Sequence, residues 1–371
     1  MEQEQINIFN EIDNMQLSKE ELNNFINKHK LKNKIDTLNN SNKSEERFTV
    51  ISLFAGCGGL DLGIKGGFSY LNKEYNRNNF DIIWANEINS QAVKTYCNYF
   101  GNHIICEDIK NIKNEDFPKA DIIIGGFPCQ DFSLAGKKQG LKVERGRLYL
   151  QMKRAIDSVK PKAFIAENVK NLVLMENGLI FKTIIDDFKK SGYNVYYYLY
   201  HAANYGVPQN RERVIIYGIR EDLDMIPYVP LETNTIDNYI TSKDAIDDLW
   251  NKLDKGIPNH STKDYSKAKF YEGKRTQGNI RIKENSIAPT IRAEHHGNIE
   301  GHYRTNGDET DITTWRRLSV RECARIQTFP DDFIFQCAAS SAYKQVGNAV
   351  PPVLGWHIAK ALYLSLIEKD K

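Results

Sequence analysis

From Phe48 to Arg220, strand-like apolar runs alternate with amphipathic helical stretches, and this rhythm leaves few folds open. Phe48 to Leu53, Asp81 to Ala85, His103 to Ile105, Asp121 to Ile124 and Ala163 to Ala166 read as strands. Leu148 to Val159 and Leu179 to Lys190 read as helices between or after them. Val195 to Tyr200 and Arg213 to Ile219 have the look of a hairpin-type pair. Repeated βα units cover both faces of a sheet with helices. The expected fold is therefore α/β, a doubly wound, mostly parallel, Rossmann-like sheet with ligands at the carboxyl ends of its strands.

A chain of 371 residues is long enough for a second domain. We expect four segments. Residues 1–46 form a helical N-terminal appendage and linker, with Ser18 to Glu21 as a capping box. Residues 47–220 form the main α/β domain. Residues 221–314 lose the rhythm and make a smaller irregular domain. Residues 315–371 regain it, with helices expected over Ser319 to Thr328 and Val353 to Ile367, and return to the first domain. The net charge is only +2, so affinity for a polyanion requires clustering. Lys255 to Lys283 holds eight Lys/Arg against two acids. Six cysteines without a C-x-x-C pair predict a reducing, cytoplasmic setting and argue against zinc or a disulfide framework. No run reaches the ~18 apolar residues of a membrane span. His295 and His296 are adjacent without further ligands, so no metal is expected.

Four strand ends carry chemistry. After the first comes Phe54-Ala-Gly-Cys-Gly-Gly59, whose glycines let backbone approach a ligand. Its spacing is neither that of a dinucleotide fingerprint nor that of a P-loop. Glu87 ends the second strand and Asp108 follows the third. Each acid alone reads as a helix cap or surface charge; together, at successive strand ends, they describe an adenosine site. After the fourth strand, Gly125-Gly-Phe-Pro-Cys-Gln-Asp-Phe-Ser133 sets Cys129 at a strand end. Such a thiol is either a buried structural cysteine or a nucleophile.

These motifs, in this order, resemble the cytosine-C5 DNA methyltransferase family of bacterial restriction–modification type. The resemblance runs from about Thr49 to Ala361. It rests on the turn at 54–59, Asn86-Glu87, Asp108-Ile109, Pro128-Cys-Gln130, Glu167-Asn-Val169, Gln209-Asn-Arg-Glu-Arg-Val214, the helix at Arg317 to Arg325, and Gln345-Val-Gly-Asn-Ala-Val-Pro-Pro352. Glu107, before Asp108, departs from the common glycine, and Cys57 fills a variable slot.

The resemblance implies S-adenosylmethionine as methyl donor. Phe54, Ala55, Gly56, Cys57, Gly58, Gly59, Glu87, Ile88, Asp108, Ile109, Pro128, Leu148, Asn348 and Ala349 would line its site. Cys129 would attack C6 of cytosine and so activate C5. Glu167 would act at N3 and the exocyclic amine, Arg213 at O2, and Arg211 would brace the site or reach a phosphate. The target base must leave the duplex, with the loop 131–147 closing over it. Ser133, Lys137, Arg145 and Arg147 are the loop's candidate DNA contacts. The segment 221–314 would be the target-recognition domain, with Lys263, Lys267, Lys269, Lys274, Arg292, His295 and Asn298 as candidate contacts. Double-stranded DNA is the expected partner. The protein is expected to be a monomer, outside any membrane, alongside a cognate restriction endonuclease. Two rivals differ. A tRNA cytosine methyltransferase of the same superfamily would carry Cys-Phe-Thr, absent here. A non-catalytic DNA-binding regulator would not need Cys129, Glu167 and Arg213 together.

Overall fold

The computed structural model describes residues 18–39, 44–128, 148–267, 270, 280–293 and 302–368. Its centre is a seven-stranded sheet built from β1 (Phe48–Leu53), β2 (Phe80–Glu87), β3 (Ile104–Cys106), β4 (Ile122–Gly125), β5 (Ala163–Val169), β6 (Tyr193–His201) and β7 (Glu212–Arg220). The spatial order is β3-β2-β1-β4-β5-β7-β6. The first five are mutually parallel, and β7 runs antiparallel to both β5 and β6. The α/β, mostly parallel expectation is met, and the hairpin-type pair is β6 with β7.

Alternating residues explain why the sheet is covered twice. On β4, Ile122 and Ile124 enter one core while Ile123 enters the other. On β5, Ala163 and Ile165 join the first core, and Phe164 and Ala166 the second. The second core is roofed by α4 (Leu148–Val159) and α5 (Leu179–Lys190), through Met152, Ile156, Phe181, Ile184 and Phe188. The first is roofed by α2 (Gly59–Lys65) and, from the far end of the chain, α9 (Pro352–Ile367). Ala339–Ile367 is, among the described residues, the one stretch long and apolar enough to cross a membrane, yet 83% of its most apolar window is buried inside the protein. It is a core element.

Helices α2 and α9 cross where Gly63 meets Gly355. A Cβ on Gly63 would lie 2.6 Å from the Gly355 backbone and 2.7 Å from the Pro352 carbonyl oxygen. Backbone cannot give way as a side chain can. Gly63→Ala is therefore expected to cost about 1–3 kcal/mol, the usual range for overpacking. Thermal denaturation checks it; an unchanged melting temperature would show that the helices part there freely.

The N-terminal segment is more than an appendage. Helix α1 (Lys19–Lys28) has the expected cap: Ser18 Oγ accepts from the Glu21 amide, and the Ser18 amide donates to Glu21. Beyond it the chain adds to the open edge of the sheet. The Leu31 amide donates to the Tyr197 carbonyl at 2.9 Å, and the Tyr197 amide to the His29 carbonyl at 3.0 Å. Lys34–Ile35 then pairs with Val229–Pro230, and Thr37 Oγ1 meets His357 Nδ1 of α9 at 2.7 Å. An exposed edge is a hazard that such a cover removes.

Residues 221–314 form little regular structure among those described. Their short helix α6 (Ser242–Ile246) is followed by turns. The segment is bound to α7 (Val320–Ile326), which Ser319 caps. Arg304 and Arg316 both reach the buried Glu322, at 2.9 and 2.7 Å, and their guanidinium groups lie over Trp250. This pairing holds the Glu322 carboxyl below the usual carboxylate range although burial alone would raise it.

Candidate active site

Strand order reverses at β1, which has β2 on one side and β4 on the other. Ligands of open α/β sheets bind in the crevice at such a point. The turn at 54–59 leaves β1 there. Phe54 and Gly56 take left-handed backbone, φ +54° and +57°. Gly58 also does, at φ +92°, and a Cβ on it would strike the Phe100 ring at 2.3 Å. A Cβ on Gly59 would meet the Val350 carbonyl oxygen at 2.6 Å and the Ala349 Cβ at 2.8 Å. The end of helix α8 (Ala339–Asn348), with Ala349 and Val350 beyond it, therefore sits directly on the glycine turn.

Glu87 stands at the end of β2, half-buried. Its carboxylate accepts from the Gly56 amide at 2.9 Å and from the Asn89 amide at 2.8 Å. Burial raises its pKa, and these amides oppose the rise. Ile88 beside it is 66% exposed, an apolar surface left open on the rim. Asn86 crosses below to the carbonyls of Ile105 and Glu107 and joins the ends of β2 and β3. Asp108 accepts from the Lys110 amide and caps the turn Ile109–Asn111. Phe54 and Leu148 both pack against the second core. The glycine turn, Glu87 and Asp108 thus stand at or just after the ends of β1, β2 and β3, and Pro128 is exposed after β4.

The second constellation lies where β5 meets β7. Arg213 sits opposite Val169, and Glu167 opposite Ile215. In an antiparallel pair this offset makes Glu167 and Arg213 diagonal neighbours on one face. Arg213 Nε is 2.9 Å from Glu167 Oε1, and both side chains are about nine-tenths buried, 12% and 11% exposed. Burial lowers the Arg213 pKa while Glu167 opposes that shift. Gly126 makes room for the acid: a Cβ there would come 2.9 Å from Glu167 Oε2. Asn168 donates to the Phe127 carbonyl at 2.9 Å and so ties this strand to the turn leading into Cys129.

Arg211 needs a correction. Of the two roles expected for it, bracing the site or reaching a phosphate, only the first fits. Its side chain is buried, 1% exposed, and its guanidinium donates to the carbonyls of Ile291, Gly347 and Ala349. A group so enclosed cannot meet DNA; it joins the irregular segment to the glycine-turn neighbour.

Lys263 and Lys267 are exposed, and Lys267 lies over the Tyr265 ring. Arg292 is half-buried, with its backbone against Gly347. Cys129, Ser133, Lys137, Arg145, Arg147, Lys269, Lys274, His295 and Asn298 lie outside the described residues. Three polar braces are not anticipated by the sequence pattern. They are Asn86, Asn168 and the buried pair Gln209–Gln327, in which Gln209 Nε2 donates to Gln327 Oε1 at 2.8 Å. Each stands within or beside one of the motifs above, and a polar residue next to an apolar strand is the signal that could have found it.

Residues 48–364 match the family described as C-5 cytosine-specific DNA methylase. Among curated proteins, the chain is 34% identical over 353 residues to the Type II methyltransferase M.NgoFVII of Neisseria gonorrhoeae, covering 88% of this chain and 89% of that one. It is also 34% identical over 355 residues to M.FnuDI of Fusobacterium nucleatum, covering 87% and 96%. Among solved structures, the S. pombe Dnmt2 methyltransferase superposes with a TM-score of 0.65 at 16% identity, over 88% of this chain and all of that one. At that identity the likeness speaks for the fold alone.

Proposed function

The chain belongs to the C-5 cytosine-specific DNA methylase family and is a DNA cytosine-5 methyltransferase; from that premise we propose that Cys129, Glu167 and Arg213 carry the reaction on a cytosine flipped out of a short duplex site. The observation that supports this most is the buried Glu167–Arg213 pair beside the turn into Cys129. The Cys129 thiolate forms a bond to C6. The displaced π electrons gather toward N3 and O2, where Glu167 and Arg213 hold them. C5 becomes nucleophilic and takes a methyl group. A water then takes the C5 proton, the C–H electron pair returns to the ring, the sulfur–C6 bond breaks, and the thiolate is restored.

S-adenosylmethionine, held at the glycine turn, would supply the methyl group from its sulfonium, whose S–CH3 bond breaks to leave a neutral thioether. The rim suits it. Among the described residues nothing lies within 4 Å of a Cβ placed on Gly56, Glu87 offers a carboxylate to ribose hydroxyls, Asp108 caps the turn that follows β3, and Ile88 presents apolar surface to a base. Arg211 is a positioning residue in this reading. Glu87→Ala is expected to raise the cofactor KM, with about 1.5–3 kcal/mol of binding lost if the charged hydrogen bonds go. Initial rates at varied cofactor measure it, and an unchanged KM would move the site elsewhere.

Residues 221–314 serve as the target-recognition domain, with 47–220 and 315–371 forming the catalytic domain. The Arg304–Glu322–Arg316 junction would keep the reader in fixed relation to the catalytic strands. Neutralising Lys263 and Lys267 should weaken binding to all duplexes. It should also flatten the salt dependence of binding by roughly 0.9 log unit per log unit of salt for each phosphate that is no longer neutralised. Unchanged salt dependence would remove both from the interface. The protein acts as a cytoplasmic monomer in a restriction–modification system, beside an endonuclease of the same site. Bisulfite sequencing of plasmid DNA from expressing cells tests the whole reading. It should show one short motif protected at one cytosine, and unmodified plasmid would refute it.

A further inference from the structure

Asp61, Tyr96 and His103 form a buried polar chain that the reaction above does not use. Asp61 lies in the first turn of α2, two residues beyond Gly59, and is 1% exposed. Tyr96, fully buried, belongs to α3 (Ser90–Phe100). The Tyr96 hydroxyl donates to Asp61 Oδ1 at 2.9 Å and stands 3.0 Å from His103 Nε2. A hydroxyl has one hydrogen. With that hydrogen on Asp61, His103 Nε2 must be the donor to the tyrosine oxygen. Burial pushes the Asp61 carboxyl up to about 6, and hydrogen bonds from Ser52 and Tyr96 oppose the rise.

Each end of this chain reaches a different side of the cofactor cradle. Asp61 belongs to the helix that the glycine turn opens. The His103 carbonyl accepts from the Ala85 amide at 3.0 Å, two residues before Glu87. Helix α3 itself starts at Asn89, whose side chain caps it and whose amide donates to Glu87. The Tyr96 and Phe100 rings also fill the space beside Gly58, where a Cβ would come within 3.0 Å of Tyr96. Tyr96 further joins Ala85 and Ile104 in a small separate apolar cluster, with Ala55 at its margin. One side chain thus touches the glycine turn, its helix, and the base of the Glu87 strand end.

We propose that Tyr96 is a positioning residue of the cofactor cradle, its hydroxyl fixing the glycine turn and the Glu87 strand end at the spacing that S-adenosylmethionine needs. This rests on the assignment of the 54–59 turn to that cofactor. Tyr96→Phe keeps the ring against Gly58 and deletes only the hydroxyl, so it separates positioning from packing.

The experiment follows tritiated methyl transfer to plasmid DNA at varied cofactor, with duplex binding by gel shift. Tyr96→Phe should raise the cofactor KM about tenfold, the scale of one hydrogen bond to a charged group. The turnover number at saturating cofactor and the affinity for duplex should stay at the parent values. A KM equal to the parent's overturns the inference. So does a loss confined to the turnover number. Should Tyr96→Phe fail to fold, Asp61→Ala decides. It removes the oxygen that accepts from the Tyr96 hydroxyl and leaves the ring beside Gly58, and a KM at the parent value would again overturn the inference. Glu87→Ala run in parallel separates the two readings. If it leaves KM unchanged, the cofactor assignment fails; if it raises KM while Tyr96→Phe does not, only the Tyr96 inference fails.

Discussion

Replacing Cys129 by serine is expected to remove methyl transfer, by roughly 10⁴-fold or more, the scale on which loss of a covalent nucleophile acts. A free thiol has a pKa near ~8.5, so a small thiolate fraction exists at neutral pH. A serine hydroxyl offers almost none and has no base beside it in the motif. Duplex binding should survive, because phosphate contacts supply much of the affinity and do not involve the thiol. Methyl transfer and gel shift on the same preparation check this. Turnover near that of the parent enzyme would remove Cys129 as the attacking group.

Glu167→Gln should cost about 10²–10⁴-fold in the chemical step, the range for a positioned acid–base group. The amide oxygen can still accept from Arg213 Nε, so the 2.9 Å contact can persist and the strands need not shift. What the amide cannot do is share a proton with N3 as sulfur attacks C6. Single-turnover transfer at saturating DNA and cofactor measures this step without the binding terms. A rate within a few-fold of the parent's would mean that Arg213 alone handles the ring's charge. A collapse of duplex binding would mean that Glu167 holds structure instead.

The sheet was legible because its strands are covered on both faces. Ile122, Ile123 and Ile124 are all apolar and alternate between two cores, which is what a parallel sheet between helix layers requires. The hairpin Phe68–Tyr70 with Lys73–Tyr75 was not legible. Its two turn residues, Leu71 and Asn72, take left-handed backbone without the glycine that usually announces such a turn. The edge cover by residues 29–35 was hidden for another reason. It is made by backbone amides and carbonyls, and those bonds leave no apolar period in a Lys- and Asn-rich stretch.

The site divides in the same way. The glycine turn, Glu87 and Asp108 could be placed at strand ends from the sequence alone, since each follows an apolar run. The Glu167–Arg213 contact could not, because it depends on the register of an antiparallel pair formed between distant segments. Only the resemblance singled those two residues out. For Arg211 the sequence left two roles open, bracing the site or reaching a phosphate, and only its burial against three backbone carbonyls chooses between them.

The central claim is that methyl transfer passes through a bond between Cys129 and C6. A duplex synthesised with 5-fluorocytosine in place of cytosine tests it whatever the recognition sequence is. Fluorine cannot leave as a cation, so the adduct cannot resolve after the methyl group is on C5. With S-adenosylmethionine present, a protein–DNA complex resistant to denaturant should form, and mass spectrometry should place the cross-link on the peptide that contains Cys129. No such complex on a duplex that the enzyme methylates in its ordinary form, or a cross-link on another residue, would contradict the account.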